Sequence, residues 1–233
     1  MVVTTHQPIF LPWSGFFYKA FCADALVLLD NVQFPLGRSW MTRNRLKNDK
    51  GELWLSVPVW KKGRGMQSIR SVEICDEKEW RRKHLLSLSQ QYSNAPYRED
   101  YLPTVEEIYH KSHRLLVDLN IDLITFFWRV LGLKSRRILQ SQLGVCDKGT
   151  DLLISVCRAL NADTYLSLPS AEKHLDVDKF RRNGIRLVFA RLALPVYPQL
   201  WGEFRYNLSA LDLLLNCGPK SLEIIGHSTS NIP

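Results

Sequence analysis

Hydrophobic positions fall into two kinds of run along this chain. Short, nearly continuous apolar stretches at 2–4, 26–29, 164–168 and 185–188 have the length and composition of strands buried on both faces. Longer segments carry apolar residues three or four apart and predict helices at 77–92, 101–113, 114–130 and 149–160. Residues 172–180 fit another helix, and a last one opens at 207–209 and stops at 217–219, where Gly218 and Pro219 follow Cys217. After Trp13, the residues Phe16, Phe17, Ala20 and Phe21 share one helical face, with Ser14 in the N-cap place. Residues 52–59 and 69–74 read as further strands, and 136–142 as a short strand or loop.

Strand, helix and strand in turn imply an α/β fold: a mainly parallel central sheet flanked by helices, with a basic hairpin or loop insertion and a helical segment in the middle. The reading places one domain over 1–233, with an N-terminal half to 132 that holds the insertion, a C-terminal α/β half at 133–226 and a polar tail at 227–233.

The first apolar run leads into TTHQPIFLPWSGFF at 4–17. Pro8 and Pro12 lack backbone donors and push the residues before them toward extended geometry, so 7–12 is a stiff, non-helical loop. In a parallel sheet such a loop sits at a strand's carboxyl end beside a helix N-terminus, a place that favours anionic ligands. His6, Gln7 and Trp13 lie there. The next strand ends in Asp30, Asn31, Val32 and Gln33, and two neighbouring strand ends are expected to present these polar residues to one crevice.

Composition alters this picture little, since 45% hydrophobic and 23% charged residues are ordinary for a soluble globular protein. No apolar run is long enough to span a membrane and no signal-peptide pattern opens the chain, so the expected location is cytoplasmic. The five cysteines are scattered without CxxC spacing and read as buried free thiols.

Charge adds more. The chain carries 31 Lys and Arg against 23 Asp and Glu, net +8, and eight of those cations lie within 38–65 beside only Asp49 and Glu52. Arg38, Trp40, Arg43, Asn44 and Arg45 gather guanidinium forks around an aromatic ring, a combination suited to phosphate or carboxylate and to a stacked ring. Lys61 begins a glycine-containing basic loop at 61–65 that can close over a phosphate. His84 falls on the apolar stripe of Trp80, Leu88 and Tyr92, the usual setting of a core histidine.

There is no GxGxxG after a strand, no P-loop and no GxSxG, which removes the usual dinucleotide dehydrogenase, the Walker NTPase and the α/β-hydrolase as first choices. His110 and His113 are three apart but lack the glutamate of HExxH, so no metal site is assigned. Two classes of function remain. An enzyme would hold a phosphorylated or nucleotide donor among the arginines, with His6 as phosphate contact or general acid/base. A non-catalytic protein would bind nucleotide or nucleic acid on the basic aromatic strip at 38–65, a reading disfavoured because the polar residues converge on strand ends.

The combination His6-Gln7-Pro8, Pro12-Trp13, Gly15-Phe16-Phe17, Asp30-Asn31-Val32-Gln33-Phe34, Arg38-Ser39-Trp40, Arg43-Asn44-Arg45 and Val57-Pro58-Val59 resembles the WbqC-like family. Lys83-His84, Ala95-Pro96-Tyr97, 162–166 and 208–214 extend that resemblance over nearly the whole chain. Where members usually carry a second Asp after Asp30, this chain has Asn31.

The resemblance implies a bacterial enzyme of O-antigen, other surface-polysaccharide or specialised-metabolite biosynthesis that transfers a glycine-type aminoacyl or acyl group, or an ATP-dependent carboxylate–amine ligase. Its partners are then a phosphorylated small-molecule donor and an amine- or hydroxyl-bearing acceptor, with no nucleic acid. The cofactor stays open, with ATP and Mg²⁺ as one option. His6, Asp30 and His84 are the catalytic candidates. Gln7, Trp13, Asn31, Gln33, Arg38, Trp40, Arg43, Asn44, Arg45 and Lys61 are the binding candidates. The opening unit is also similar in fold to HIGH-type nucleotidylyltransferases and pantothenate synthetase, although Trp13 to Gly15 stands where a second histidine belongs.

Overall fold

The computed structural model describes residues 1–227, so the polar tail read from the sequence lies, beyond His227, outside the described residues. The chain opens with strand β1 (Val2–His6), helix α1 (Ser14–Phe21) and strand β2 (Ala25–Leu28). An antiparallel hairpin follows, β3 (Arg43–Asn48) and β4 (Gly51–Ser56), and then helices α2 (Trp80–Gln91), α3 (Arg98–His110) and α4 (Leu116–Val130). The second half runs β5 (Arg136–Leu139), α5 (Gly149–Ala159), β6 (Thr164–Ser167), α6 (Val177–Arg182), β7 (Arg186–Phe189), α7 (Ala210–Cys217) and α8 (Ser221–His227).

Five strands form one parallel sheet in the order β5-β2-β1-β6-β7. The chain moves outward from β1 through β2 to β5, then crosses back to lay β6 on the other side of β1. Strand order therefore reverses at β1, the position in open α/β sheets where ligands collect at the carboxyl ends.

Alternation along the strands assigns their side chains to two cores. Leu26, Leu28 and Leu166 enter a large core with α1, α2, α3, α4 and α7, whereas Val3, Ala25, Val27 and Tyr165 enter a smaller one with α5 and α6. Because both faces are covered, β2 is apolar at every position and reads as a continuous run.

The structure departs from the sequence reading in several places. Residues 69–74 form a 3-10 turn at Ile69–Ser71 and isolated bridges, because the Ser71 hydroxyl donates to the Ser68 carbonyl at 2.9 Å and closes a local turn. Ser14 is the first residue of α1, while Trp13 occupies the N-cap in extended geometry and bridges to Ser209. The run 172–180 divides into a 3-10 segment, Pro169–His174, and α6, where the Asp176 carboxylate caps the Lys179 N–H. Of the thiols, Cys75, Cys157 and Cys217 are buried and Cys22 is partly so, but Cys146 is exposed in the loop before α5.

A buried carboxylate fastens the C-terminal helices to the insertion. Asp212, on α7, accepts the Tyr92 hydroxyl at 2.5 Å and the Tyr197 hydroxyl at 2.9 Å, and the Tyr92 oxygen in turn accepts the Lys47 backbone N–H at 3.0 Å. Burial raises the Asp212 carboxyl above its ordinary range, while the two hydroxyls and Lys47 pull the other way. Tyr92→Phe leaves a buried N–H and a carboxylate each short of a partner. The expected loss is about 2–4 kcal/mol of unfolding free energy in urea titration, and an unchanged midpoint would show that the cluster does not tie these elements together.

Candidate functional site

At the carboxyl end of β1 a pocket of about 470 Å³ opens. Its lining comes from the last residue of β1 (His6), from the β1–α1 loop (Gln7, Ile9, Trp13), from the turn after β2 (Pro35, Arg38, Ser39, Trp40), from β3 (Asn44, Arg45) and from Asn207. Residues far apart in the chain meet here because the loop at 7–12 and the turn at 34–42 are fastened to one another.

That fastening is made by two buried asparagines. Asn44 Nδ2 donates to the carbonyls of Phe10 at 3.1 Å and Leu11 at 2.7 Å, while its Oδ1 accepts the Arg45 N–H at 2.9 Å. Asn120, midway along α4, donates to the carbonyls of Pro8 at 2.8 Å and Met41 at 2.9 Å. The Phe10 N–H also donates to Trp40 O at 3.0 Å. With this support Leu11 holds a left-handed backbone at φ 42°, a conformation a branched residue rarely adopts. Gly15 lets the Trp13 indole fold back over the start of α1, since a Cβ there would lie 2.3 Å from the ring.

His6 keeps one edge open to the pocket and meets Phe16 edge to face at 4.9 Å. Its Nδ1 lies 2.8 Å from Gln7 O. With the proton on Nδ1, that nitrogen donates to the carbonyl and Nε2 is left as an acceptor. Burial, and then the charge of Lys19, lower the imidazole to about 3, so His6 is neutral at physiological pH. Lys19 is itself buried in α1, donates from Nζ to Thr5 O at 2.6 Å, and is lowered by burial to about 7. A neutral ring is an acceptor, not a cationic phosphate contact, in the free protein.

The two arginines that line the pocket differ. Arg45 is committed: Nη1 to Glu52 at 2.7 Å, Nε to Asn207 O at 3.3 Å and Nη2 to Tyr206 O at 3.4 Å. Arg38 is exposed and makes no hydrogen bond or ion pair among the described residues. Trp40 stacks on Trp54, centroids 5.8 Å apart, and Arg43 caps the same Trp54 ring at 4.5 Å. Arg43, Trp54 and Trp40 thus form a stack whose last member reaches the pocket.

Of the sequence candidates, His6, Gln7, Trp13, Arg38, Trp40, Asn44 and Arg45 come together here. The others lie elsewhere. Asp30 is buried and accepts the Ser141 N–H at 2.9 Å and the Ser141 hydroxyl at 2.6 Å, joining the ends of β2 and β5. Asn31 and Gln33 line a separate cavity of about 230 Å³ with Gln140 and Lys148, because the loop after β2 turns toward β5 there.

His84 packs with Trp80, Tyr109 and Phe10, its Nε2 accepting the Ser56 N–H at 3.1 Å, and burial lowers it to about 4. Arg43 stands behind Trp54. Lys61 Nζ donates to the carbonyls of Gly37 at 2.8 Å and Leu36 at 3.4 Å, and so braces the turn that carries Arg38.

Residues the sequence reading missed include Asn120, Lys19, Ser39 and Asn207. Asn120 and Lys19 left a visible signal, since each is a polar residue on the buried stripe of an apolar helix. Asn207 left none beyond its tolerance of the left-handed backbone it adopts, φ 57°.

Two measurements test this geometry. Asn120→Ala strips two buried carbonyls of their donor, and should cost about 2–4 kcal/mol in urea unfolding; a change within error would mean that the loop holds without the clamp. His84, depressed in the folded state, contributes stability that is present above the unfolded value of 6.5 and lost as pH falls toward about 4. The advantage of wild type over His84→Gln should shrink by up to about 1.4 kcal/mol per pH unit in that window, and a pH-independent difference would overturn the assignment.

The chain matches the WbqC-like protein family over residues 7–224. It is similar to the uncharacterized protein Rv1507c of Mycobacterium tuberculosis, 33% identical over 217 residues that span 92% of this chain and 93% of that one. No solved structure matches. A match running from Gln7 into α8 covers every strand of the sheet except β1 together with the pocket-forming insertion, and the chain belongs to the WbqC-like protein family.

Proposed function

We propose that this chain is an aminoacyl or acyl transferase, or a ligase forming an amide, and that its pocket takes a phosphorylated or nucleotide-activated donor. The observation that carries the reading is the pairing, in one pocket at the strand-order reversal, of a neutral acceptor histidine with an uncommitted guanidinium. Arg38 meets the donor's phosphate, and the Trp40 ring offers a surface for a base or sugar. His6 Nε2 then accepts the proton of the attacking amine or hydroxyl. The acceptor's nitrogen or oxygen bonds to the acyl carbon, and the bond from that carbon to the phosphate oxygen breaks with its electron pair leaving on phosphate.

An anionic donor next to His6 opposes the field of Lys19 and raises the proton affinity of the ring when the site is loaded. The pocket residues include no carboxylate among those described, so Mg²⁺ would arrive on the donor's own phosphate oxygens. Asp30 and His84 serve the framework in this reading, while Asn44 and Lys61 shape the loops that present Arg38.

A non-catalytic reading draws on a different observation, the exposed Trp54 and Trp60 within the basic segment, which suit a nucleotide or nucleic-acid strand. Thermal-shift titration with ATP, other nucleotides, nucleotide-sugars and acyl-CoA compounds identifies a donor, because binding to the native state raises the melting temperature. With that compound, Arg38→Ala should weaken binding by about 10- to 100-fold, the loss of one charged hydrogen bond. His6→Ala should leave binding within about threefold and slow single turnover roughly a hundredfold. Equal weakening of binding by both changes would make His6 a ligand contact. Unchanged turnover in His6→Ala would remove His6 from the chemistry, and no turnover of the bound compound by wild type, or donor binding displaced by single-stranded DNA, would favour the non-catalytic reading.

A further inference from the structure

Five large hydrophobic side chains stand in water within the insertion: Leu36 at 71% exposure, Met66 at 77%, and Trp40, Trp54 and Trp60 at 50, 40 and 38%. They belong to neighbouring backbones. Lys61 Nζ is bonded to the carbonyls of Leu36 and Gly37, the Phe34 N–H donates to Gln67 O at 2.8 Å, and Gln67 Nε2 donates to Trp60 O at 3.0 Å. The Trp40–Trp54 stack joins the hairpin to this group. Pro35, Arg38 and Trp40 also line the pocket, so the exposed group adjoins it through Trp40 and through the turn that carries Leu36.

The charge of these segments has one sign. Stretches 34–48 and 53–72 contain no Asp or Glu and eight Lys or Arg. Arg38 and Lys62 are exposed and make no ion pair among the described residues, and Arg64 meets Glu73, which lies outside both stretches.

We infer that this rim docks on an anionic lipid surface, with the pocket opening against the headgroup layer. Each residue type present has a place there. Aliphatic tips enter the acyl boundary, tryptophans settle at headgroup depth, and Lys and Arg meet lipid phosphates. A nucleic-acid strand would use the tryptophans and the cations but has nothing to offer Leu36 and Met66, the two most exposed of the five. The surface goes beyond the proposed reaction and does not rest on it, since Leu36, Trp54, Trp60, Lys62 and Met66 lie outside the pocket lining.

Co-sedimentation of the full chain tests it, with vesicles of phosphatidylcholine alone and with about one-third phosphatidylglycerol. The anionic vesicles should carry the protein down and shift its tryptophan emission to shorter wavelength, while the neutral ones should not. The double change Leu36→Ser and Met66→Ser should lower the partition coefficient roughly tenfold, and Lys62→Glu should weaken binding and make it less salt-dependent. Circular dichroism confirms that each variant folds, and Lys62→Glu, a fully surface change, keeps the test informative if the double variant does not. Absence of protein from the anionic pellet, full binding by the folded double variant, or release of bound protein by single-stranded DNA at equal salt would overturn the inference. Soluble nucleotides read the pocket separately, by thermal shift, so either idea can fail without the other.

Discussion

The pocket exists because the carbonyls of a proline-bearing loop find donors. Residues 7–12 are irregular, and Pro8, Ile9, Phe10, Leu11 and Pro12 are buried, so their carbonyls have no ladder to join. Unpaired, each would cost as much as a lost hydrogen bond. Two side-chain amides from the segment inserted between β2 and β5 meet most of this demand, Asn44 of the hairpin at Phe10 and Leu11 and Asn120 of α4 at Pro8, while Pro12 O accepts the Ala210 N–H at 2.8 Å. The loop can therefore be buried only when the insertion is in place. Its partner turn is held by the same residue, as Asn120 also binds Met41 O. Sheet, hairpin and helical segment close together on one set of backbone groups.

The same packing sets the chemistry of His6. A histidine at a strand end ordinarily titrates near neutrality and would be a poised acid or base. Here α1 lies against β1 and brings Lys19 Nζ onto the carbonyl of the residue just before His6. Burial and then the charge of Lys19 disfavour imidazolium, and with the proton on Nδ1 the carbonyl of Gln7 leaves Nε2 free. Burial and the Lys19 charge thus keep this histidine neutral against the pull of the Gln7 carbonyl, and an anion placed beside it would oppose the Lys19 field. Asp212 shows the opposite solution, a buried carboxylate given two hydroxyl donors, which suits an anchor and not a group that must change state.

The sheet was legible in the sequence because burial on both faces leaves a plain trace. Ala25 to Leu28 are all apolar, and no other element class accounts for a run so short between turn residues. The candidate site was legible in part for a related reason: His6, Gln7 and Trp13 sit where any β–loop–α unit directs its loop. What the sequence could not supply was direction after the second strand. Asp30 points back to Ser141, and Asn31 and Gln33 fall toward α5, although they are as polar and as near a strand end as His6. Loop polarity marks the edge of a sheet; it does not say which neighbouring strand the loop leans on. Arg43 is a similar case, since alternation in β3 and the indole of Trp54 decide that its guanidinium stacks, while Arg38 in the preceding turn stays free.

Under the proposed reaction, specificity would belong to the insertion more than to the sheet. β1 contributes His6 and, through the loop after it, one wall of the pocket, whereas the opposite wall of Pro35, Arg38, Ser39 and Trp40 depends on a turn braced by Lys61 and backed by the Trp54–Arg43 stack. In that wall the Arg38 and Trp40 side chains are exposed, whereas Ser39 is buried and its hydroxyl accepts the Met41 N–H. Movement is confined in the same way. The asparagine clamps fix the loop that carries His6, and the turn that carries Arg38 is held at its base by Lys61 with its outer side chains in solvent. Under the proposed reaction, a proton acceptor fixed by these clamps would face an anion contact on the less buried turn, so that a donor's phosphate would draw Arg38 inward while His6 stays where the reacting atom must come.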